Sequence, residues 1–422
     1  MLICNLIGEV PPLEGFREVV FFHFKSHKMV DCCTRKSKAI KTEFSYTFFQ
    51  SIEDCRNEWV LATHPENVFL QFPYLHLLEK NPLQQTDFVY VIISEGHKNI
   101  GVSYFQHKIF EPGKSLNYNK NDWKIWRSIK SFVANRLIFT TLISGNLLLT
   151  GEYGFYVVPE YEAKADAIYN ASIDFAIEKL KAKGIHISLL FVKDLYTQHL
   201  DFERLSNSVR FTFQPNMVMD LRSEWKSKDD YLNDLTSKYR IRAKRAFKKG
   251  DEFAKVELDL EQIELHKTRI FELYKIIAEK AGFNLFYLNE NYMVSLKKEL
   301  GDDFTFLAYF LDNQLVGFCT TIQNYHELEA HCIGFEHQYN PSHQIYLNLL
   351  FDMIEKGIES RSKKIIFART AMEIKGSVGA IGYDMFCYIR HKNPIVNYLL
   401  PRIIGFLDTN ETWEQRSPFG KN

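Results

Sequence analysis

The chain has 422 residues, 46% hydrophobic and 25% charged, which is ordinary globular composition with room for two or three domains. Lys+Arg and Asp+Glu both number 52, so no global charge drives binding to nucleic acid or to a membrane, and any such binding rests on a local patch. Seven cysteines, an odd number with no CxxC and no zinc-like Cys/His spacing, read as reduced thiols, exclude an evident disulfide framework and leave no metal site expected.

The first residues lack a basic region and a long apolar run, so no secretory signal is expected and the protein is placed in the cytoplasm. Residues 19–24 suit a strand. Helices are expected at 51–63, with Trp59 on its apolar face, and at 72–80. A hairpin follows, 88–94 and 100–110, then a helix at 121–136. The apolar run 132–149 is interrupted by Asn135, Arg136 and Asn146 and is not read as a membrane span. A strand region broken by Gly151 and Gly154 covers 147–158. A long helix spans 161–183 and ends at Gly184, followed by strands at 185–192 and 209–219.

A long basic helix is expected at 229–249, closed by Gly250, then a strand at 254–258 and helices at 261–281 and 289–299. Strands at 304–310, 315–324 and 328–335 precede a helix at 342–359 and strands at 364–368 and 384–390. The run 398–407 is apolar, short and interrupted by Pro401 and Arg402; it suits a docked C-terminal segment, with a peripheral membrane contact as the alternative. Cys319, Cys332 and Cys387 lie in apolar runs and read as core fillers.

The order repeats. The first hairpin matches the second, with Gly101 opposite Gly317, and IYNASIDFAIEK in the first long helix matches IYLNLLFDMIEK in the second, placing Tyr169 and Ile177 at the same offset from Tyr346 and Ile354. A unit this long is a duplicated α/β domain rather than a solenoid repeat.

The chain resembles the tandem-GNAT acyltransferases of the FemAB-like and CelD-like group. The carrying strings are YLNDLTSKYRIRAKRAFKK at 231–249, the second hairpin with its Val-Gly, the helix 346–357, and FARTAMEIKGSVG at 367–379. The resemblance implies two GNAT-like mixed α/β domains in tandem: an extension at 1–43, a first domain at 44–222, and a second at 223–422 holding the basic helix. It implies transfer of an acyl or aminoacyl group to an amine, with acyl-CoA or aminoacyl-tRNA as donor and a cell-envelope precursor among the acceptors. The sequence departs from that pattern where a glycine-rich turn would cradle coenzyme A: residues 338–343 read QYNPSH and 158–163 read VPEYEA.

Two stretches carry candidate chemistry. Arg240, Arg242, Lys244 and Arg245 on the basic helix suit phosphates of tRNA, a nucleotide sugar or coenzyme A, against a plain solvated basic face; Ser342 and His343 are the candidates at the second helix start. After the strand near 365, Arg369, Glu373 and Lys375 arrive together, as polar groups do at the carboxyl ends of open sheets. Lys375 is expected to bind an acyl oxyanion or a donor phosphate, Glu373 or Glu336 to accept the amine proton, and Tyr346 to donate to the leaving group, although Tyr346 also has core spacing. His331 reads as a satisfied interior histidine. The partners expected are a small-molecule or precursor substrate and tRNA, with no DNA. A tandem-GNAT protein that has lost catalysis and binds a nucleotide sugar, lipid or protein is the alternative.

Overall fold

The computed structural model describes residues 43–110, 139–196, 208–212, 214–280, 287–407 and 413–420. The expected strand at 19–24, the helix at 121–136, and Cys4, Cys32 and Cys33 lie outside them.

In the first half, β1 (Phe44–Phe49) precedes α1 (Arg56–Ala62) and α2 (Phe72–Lys80). The hairpin is β2 (Thr86–Glu95) and β3 (Lys98–Phe110), followed by β4 (Phe139–Ser144), β5 (Phe155–Val157), α3 (Ala165–Ala182), β6 (Leu189–Tyr196) and β7 (Val209–Thr212). Next come β8 (Asn216–Asp220), α4 (Lys228–Asp234), α5 (Ser237–Lys249), β9 (Ala254–Glu257), α6 (Leu260–Lys280) and α7 (Tyr292–Leu300). The second hairpin is β10 (Phe304–Leu311) and β11 (Gln314–Asn324), then β12 (Glu327–Phe335), α8 (Tyr339–His343), α9 (Ile345–Glu359) and β13 (Lys364–Ile366). The chain ends with α10 (Met372–Gly376), β14 (Ile381–Tyr383), β15 (Met385–His391) and α11 (Pro394–Leu407).

The strands form two sheets, ordered β1-β2-β3-β4-β6-β15-β7, with β5 beside β3, and β9-β10-β11-β12-β13-β8-β14. The two orders correspond strand for strand. In each, one parallel pair, β4 with β6 and β12 with β13, interrupts an otherwise antiparallel series. A parallel pair needs a crossover, and α3 and α9 supply it. These are the two helices whose sequences repeat. Gly101 and Gly317 also fall at matching places, each because a neighbour leaves no room. A Cβ on Gly101 would stand 2.4 Å from the Tyr156 carbonyl oxygen, and one on Gly317 2.6 Å from Ile345 Cδ1.

The sixth strand position is exchanged between halves. β8, from the earlier part of the chain, pairs with β13 and β14 in the second sheet. β15, from the end, pairs with β6 and β7 in the first. A sequence boundary at 222/223 therefore falls between β8 and the strands it pairs with. The apolar core is shared as well: Trp59, Phe69, Tyr74 and Tyr90 of the first half pack in one cluster with Leu273, Tyr292, Phe304 and Phe306 of the second. Cys55, Cys319, Cys332 and Cys387 are free and buried.

The helix expected at 229–249 is two helices. Ser227 opens α4 with a reciprocal cap to Asp230. The chain then breaks at Leu235, which bridges to Phe419, while the Thr236 N–H donates to the Pro418 carbonyl at 2.9 Å. The C-terminal strap 413–420 takes these backbone groups, so the helix cannot continue through them. The Phe419 ring anchors the strap, 5.5 Å from Trp225 and 6.1 Å from Tyr231, with the Arg222 guanidinium 4.8 Å above it. Of the strand region expected at 147–158, only β5 forms, and the strand expected at 185–192 begins at Leu189.

Candidate functional site

The strap, α5 and α10 enclose a groove of about 600 Å³. From α5 it receives Lys238, Ile241, Arg242 and Arg245, spaced i, i+3, i+4 and i+7, hence one helix face. Glu373 and Ile374 of α10 and Arg416 of the strap complete it. Four cations thus face one carboxylate, and that carboxylate is already paired: Arg416 Nη2 lies 2.9 Å from Glu373. The pairing holds the Glu373 carboxyl below its ordinary range. Among the described residues, Lys238, Arg242 and Arg245 have no acidic partner. The start of α5 has no side-chain cap and no acid in its first turn, although a helix N-terminus favours negative charge. The three cations without an acidic partner and the uncapped helix start suit an anion.

Of the basic residues expected to bind phosphate, the groove keeps Arg242 and Arg245. Lys244 is exposed outside the groove lining, and Arg240 turns back to donate to the Leu235 carbonyl at 3.0 Å. Lys238 belongs to the same basic run. Arg416 carries no sequence signal; the Phe419 anchor brings it in.

Beneath the groove the chemistry differs from what the sequence suggests. β13 pairs with β12 for only three residues, ending at Glu329 and Ile366. The chain then turns through Ala368, Thr370 and Ala371, all left-handed at φ 56, 70 and 49°. Such backbone at non-glycine residues costs about 1–3 kcal/mol each and persists only where neighbours fix it. Lys375 fixes it. Its Nζ donates to the carbonyls of Phe367 at 2.7 Å, Ala368 at 3.2 Å and Arg369 at 2.6 Å. The side chain is 4% exposed, and burial pushes its pKa down to about 7. The expectation that Lys375 meets an oxyanion or phosphate is therefore corrected: all three donors of its ammonium are spent on backbone.

Arg369 is corrected in the same way. It is buried and ion-paired at 2.6 Å with Asp194 of β6, which is fully buried and also hydrogen-bonded by Lys193. Burial alone would raise the Asp194 carboxyl, but Arg369 and Lys193 hold it below its ordinary value. The pair joins the two sheets rather than facing a cleft.

The same seam holds a group that the sequence reading did not single out. Glu329 of β12 is 1% exposed, and neither carboxyl oxygen has a hydrogen-bond partner among the described residues. Burial and the charge of Glu327 push its pKa well up, against the opposing charges of Lys193 and Lys375. Burial pushes up the phenols of Tyr74, Tyr153 and Tyr196 of the first half, and Glu329, when ionised, adds to this. The only signal in sequence was an acid inside an apolar strand. His331 lies two residues on, where a bulge in the β11/β12 register adds one residue to β12. Its Nε2 meets the Tyr292 hydroxyl at 3.1 Å, and burial pushes its pKa down to about 3, as suits an interior neutral imidazole.

The remaining candidates lie elsewhere. Tyr346 is 8% exposed and stacked on Phe335, its phenol pushed up by burial. Glu336 is ion-paired with Arg269 and accepts from Gln338 at 2.5 Å. Ser342 does not cap α9: its hydroxyl lies 3.2 Å from the Gln338 carbonyl and 2.7 Å from His343 Nδ1, while His343 Nε2 lies 3.3 Å from Glu252. The turn into α9 is held by side chains instead. Gln344 stands at φ 51°, Asn340 accepts from the Tyr346 N–H at 3.3 Å, and Asn348 donates to the carbonyls of His343 and Gln344. That turn has no glycine, and one of its backbone N–H groups is already taken by a side chain.

No protein-family profile matches the chain, and no curated protein matches it. Among solved structures it is similar to one described as FemX, at 12% identity over 84% of this chain and 99% of that chain, with a TM-score of 0.49. It is similar to a tandem GNAT protein from the clavulanic acid biosynthesis pathway, at 8% identity over 83% and 99%, with a TM-score of 0.47. It is also similar to a conserved protein from Enterococcus faecalis V583 described as a probable N-acyltransferase, at 10% identity over 83% and 73%, with a TM-score of 0.40.

Proposed function

We propose that the protein is an N-acyltransferase that moves an acyl or aminoacyl group from a phosphate-bearing carrier to an amine. The observation that supports it most is the placement of α10. Glu373 and Ile374 line the cationic groove, while the next residue, Lys375, points inward, where its charge acts on the unpartnered Glu329. The carrier's phosphates lie along Lys238, Arg242, Arg245 and Arg416. The amine attacks the acyl carbonyl; a C–N bond forms and the bond from acyl carbon to carrier oxygen or sulfur breaks. The ionised fraction of Glu329 takes the amine proton and passes it to the carrier's departing atom. A carboxyl with a raised pKa is a strong base once ionised, the usual tuning of an acid–base group. Because the α9 turn offers no cradle, an aminoacyl-tRNA type of carrier fits better than coenzyme A, with a cell-envelope precursor as one acceptor class.

Acyl transfer from aminoacyl-tRNA and from acyl-CoA to a panel of primary amines, read by mass spectrometry, tests this. Arg242→Gln with Arg245→Gln should weaken carrier binding at least about tenfold and flatten its salt dependence. Glu329→Gln should retain binding and lose turnover. Unchanged carrier affinity in the double variant sinks the groove assignment. A second reading, binding without catalysis, draws on the commitment of Arg369 and Lys375 to structural roles. It predicts carrier binding with no product from any donor and amine in the parent protein.

A further inference from the structure

Helix α11 packs on β15 and β7 through Leu400, which is 7% exposed, with Val396 and Asn397 half-buried beside it. Its start is well fixed: Asn393 accepts from the N–H groups of Ile395 at 2.9 Å and Val396 at 3.3 Å, and Asn397 accepts from the His391 N–H at 2.8 Å. The outward side is apolar. Ile395 and Tyr398 are each 70% exposed and Leu399 40%, at i, i+3 and i+4, so they form one stripe. Lys392 and Arg402 are exposed at the two ends of this stretch, and the Arg402 guanidinium lies 5.4 Å over the Tyr398 ring. From 385 to 407 the sequence contains no Asp or Glu.

We propose that this stripe docks on the surface of an anionic lipid bilayer. The apolar side chains enter the boundary between headgroups and acyl chains, Tyr398 sits at the depth that suits an aromatic with a polar tip, and Lys392 and Arg402 lie against lipid phosphates. Charge selects this occupant. A second copy seated on the same stripe would bring Lys392 and Arg402 of both chains together with no carboxylate from the described residues of α11 between them, whereas an anionic surface complements both. The contact is peripheral: no helix of the described residues is long and apolar enough to cross a membrane.

The test is co-sedimentation of the full chain with vesicles of phosphatidylcholine, alone or with about one-third phosphatidylglycerol. The chain should pellet with the anionic vesicles about tenfold more than with the neutral ones. Ile395→Asp with Leu399→Asp should return it to background with melting unchanged, because both side chains are exposed. Lys392→Gln with Arg402→Gln should erase the preference for phosphatidylglycerol. Should the aspartate variant misfold, Tyr398→Trp reports instead: its emission, less that of the parent's five tryptophans, shifts to the blue on anionic vesicles. Equal pelleting on both vesicles, an aspartate variant that pellets like the parent, or no fluorescence shift overturns the proposal. So does a dimer in solution that the aspartate variant turns into a monomer, which would assign the stripe to a second copy.

Discussion

Replacing Arg369 with Met should lower the unfolding free energy by about 3 kcal/mol at neutral pH. The carboxylate it abandons is 0% exposed and stands 2.6 Å from the guanidinium. Breaking a buried pair from one side typically costs about 3–5 kcal/mol, because a charge is left without a counter-charge. Lys193 still hydrogen-bonds Asp194, which places the expected loss at the lower end. Urea unfolding followed by circular dichroism reads the change. Asp194→Asn in the Arg369→Met background should cost less than in the parent, with a coupling of about 1–3 kcal/mol. The pH dependence has a definite sign. The folded Asp194 carboxyl lies below its ordinary 3.8, so its stabilisation is complete above that value and lost as pH falls through the folded value. The gap between parent and variant should be full at pH 7 and close in acid. A loss under about 1 kcal/mol at pH 7, or strictly additive variants, would refute the assignment of this pair as the tie between the sheets.

Glu329→Gln should flatten the pH dependence of stability. The folded carboxyl keeps its proton where the unfolded chain has lost it, so parent stability falls as pH rises above 4.5, by at most about 1.4 kcal/mol per pH unit, and the glutamine variant does not follow; equal slopes for both proteins in urea unfolding at pH 5 and 8 would count against a neutral buried acid. Gly101→Ala should destabilise more than Gly317→Ala, since the first meets a backbone carbonyl and the second the tip of an isoleucine; about 1–3 kcal/mol is expected for the former, and the reverse order in melting experiments would contradict the geometry. Glu373→Gln removes the carboxylate that lines the groove and leaves Arg416 paired only with Glu414 at 2.6 Å, so carrier affinity measured at low salt should rise about twofold with melting unchanged, and a fall in affinity would give Glu373 a direct part in binding.

The hairpins, the crossover helices and their duplication were legible because each rests on local pattern: period, turn residues and length. The exchanged strands were not. A short apolar run such as Asn216–Asp220 carries no mark of which sheet will accept it, and the default is the nearest neighbour in sequence. The cationic helix was visible as charge, yet only the fold selects Lys238, Arg242 and Arg245 as one face and turns Arg240 away. Lys375 misled because a polar loop after a strand usually opens on a crevice; here the left-handed turn at 368–371 strands its own carbonyls and draws the ammonium inward. Glu329 was in plain view between Leu328 and Ala330, but a lone acid in a strand says nothing of whether donors meet it.

The reciprocal crossing of β8 and β15 also constrains how the molecule can be made. On the ribosome, the N-terminal sheet stays unfinished after β7 has emerged, because its sixth strand is still untranslated; at ~5–20 residues per second the wait is roughly 10–35 s. During that interval β6 presents a bare hydrogen-bonding edge, a standing invitation to aggregation and a natural point of chaperone engagement. Expressing either half alone would freeze the chain in this vulnerable state, whereas mixing the halves should let each supply the strand the other lacks.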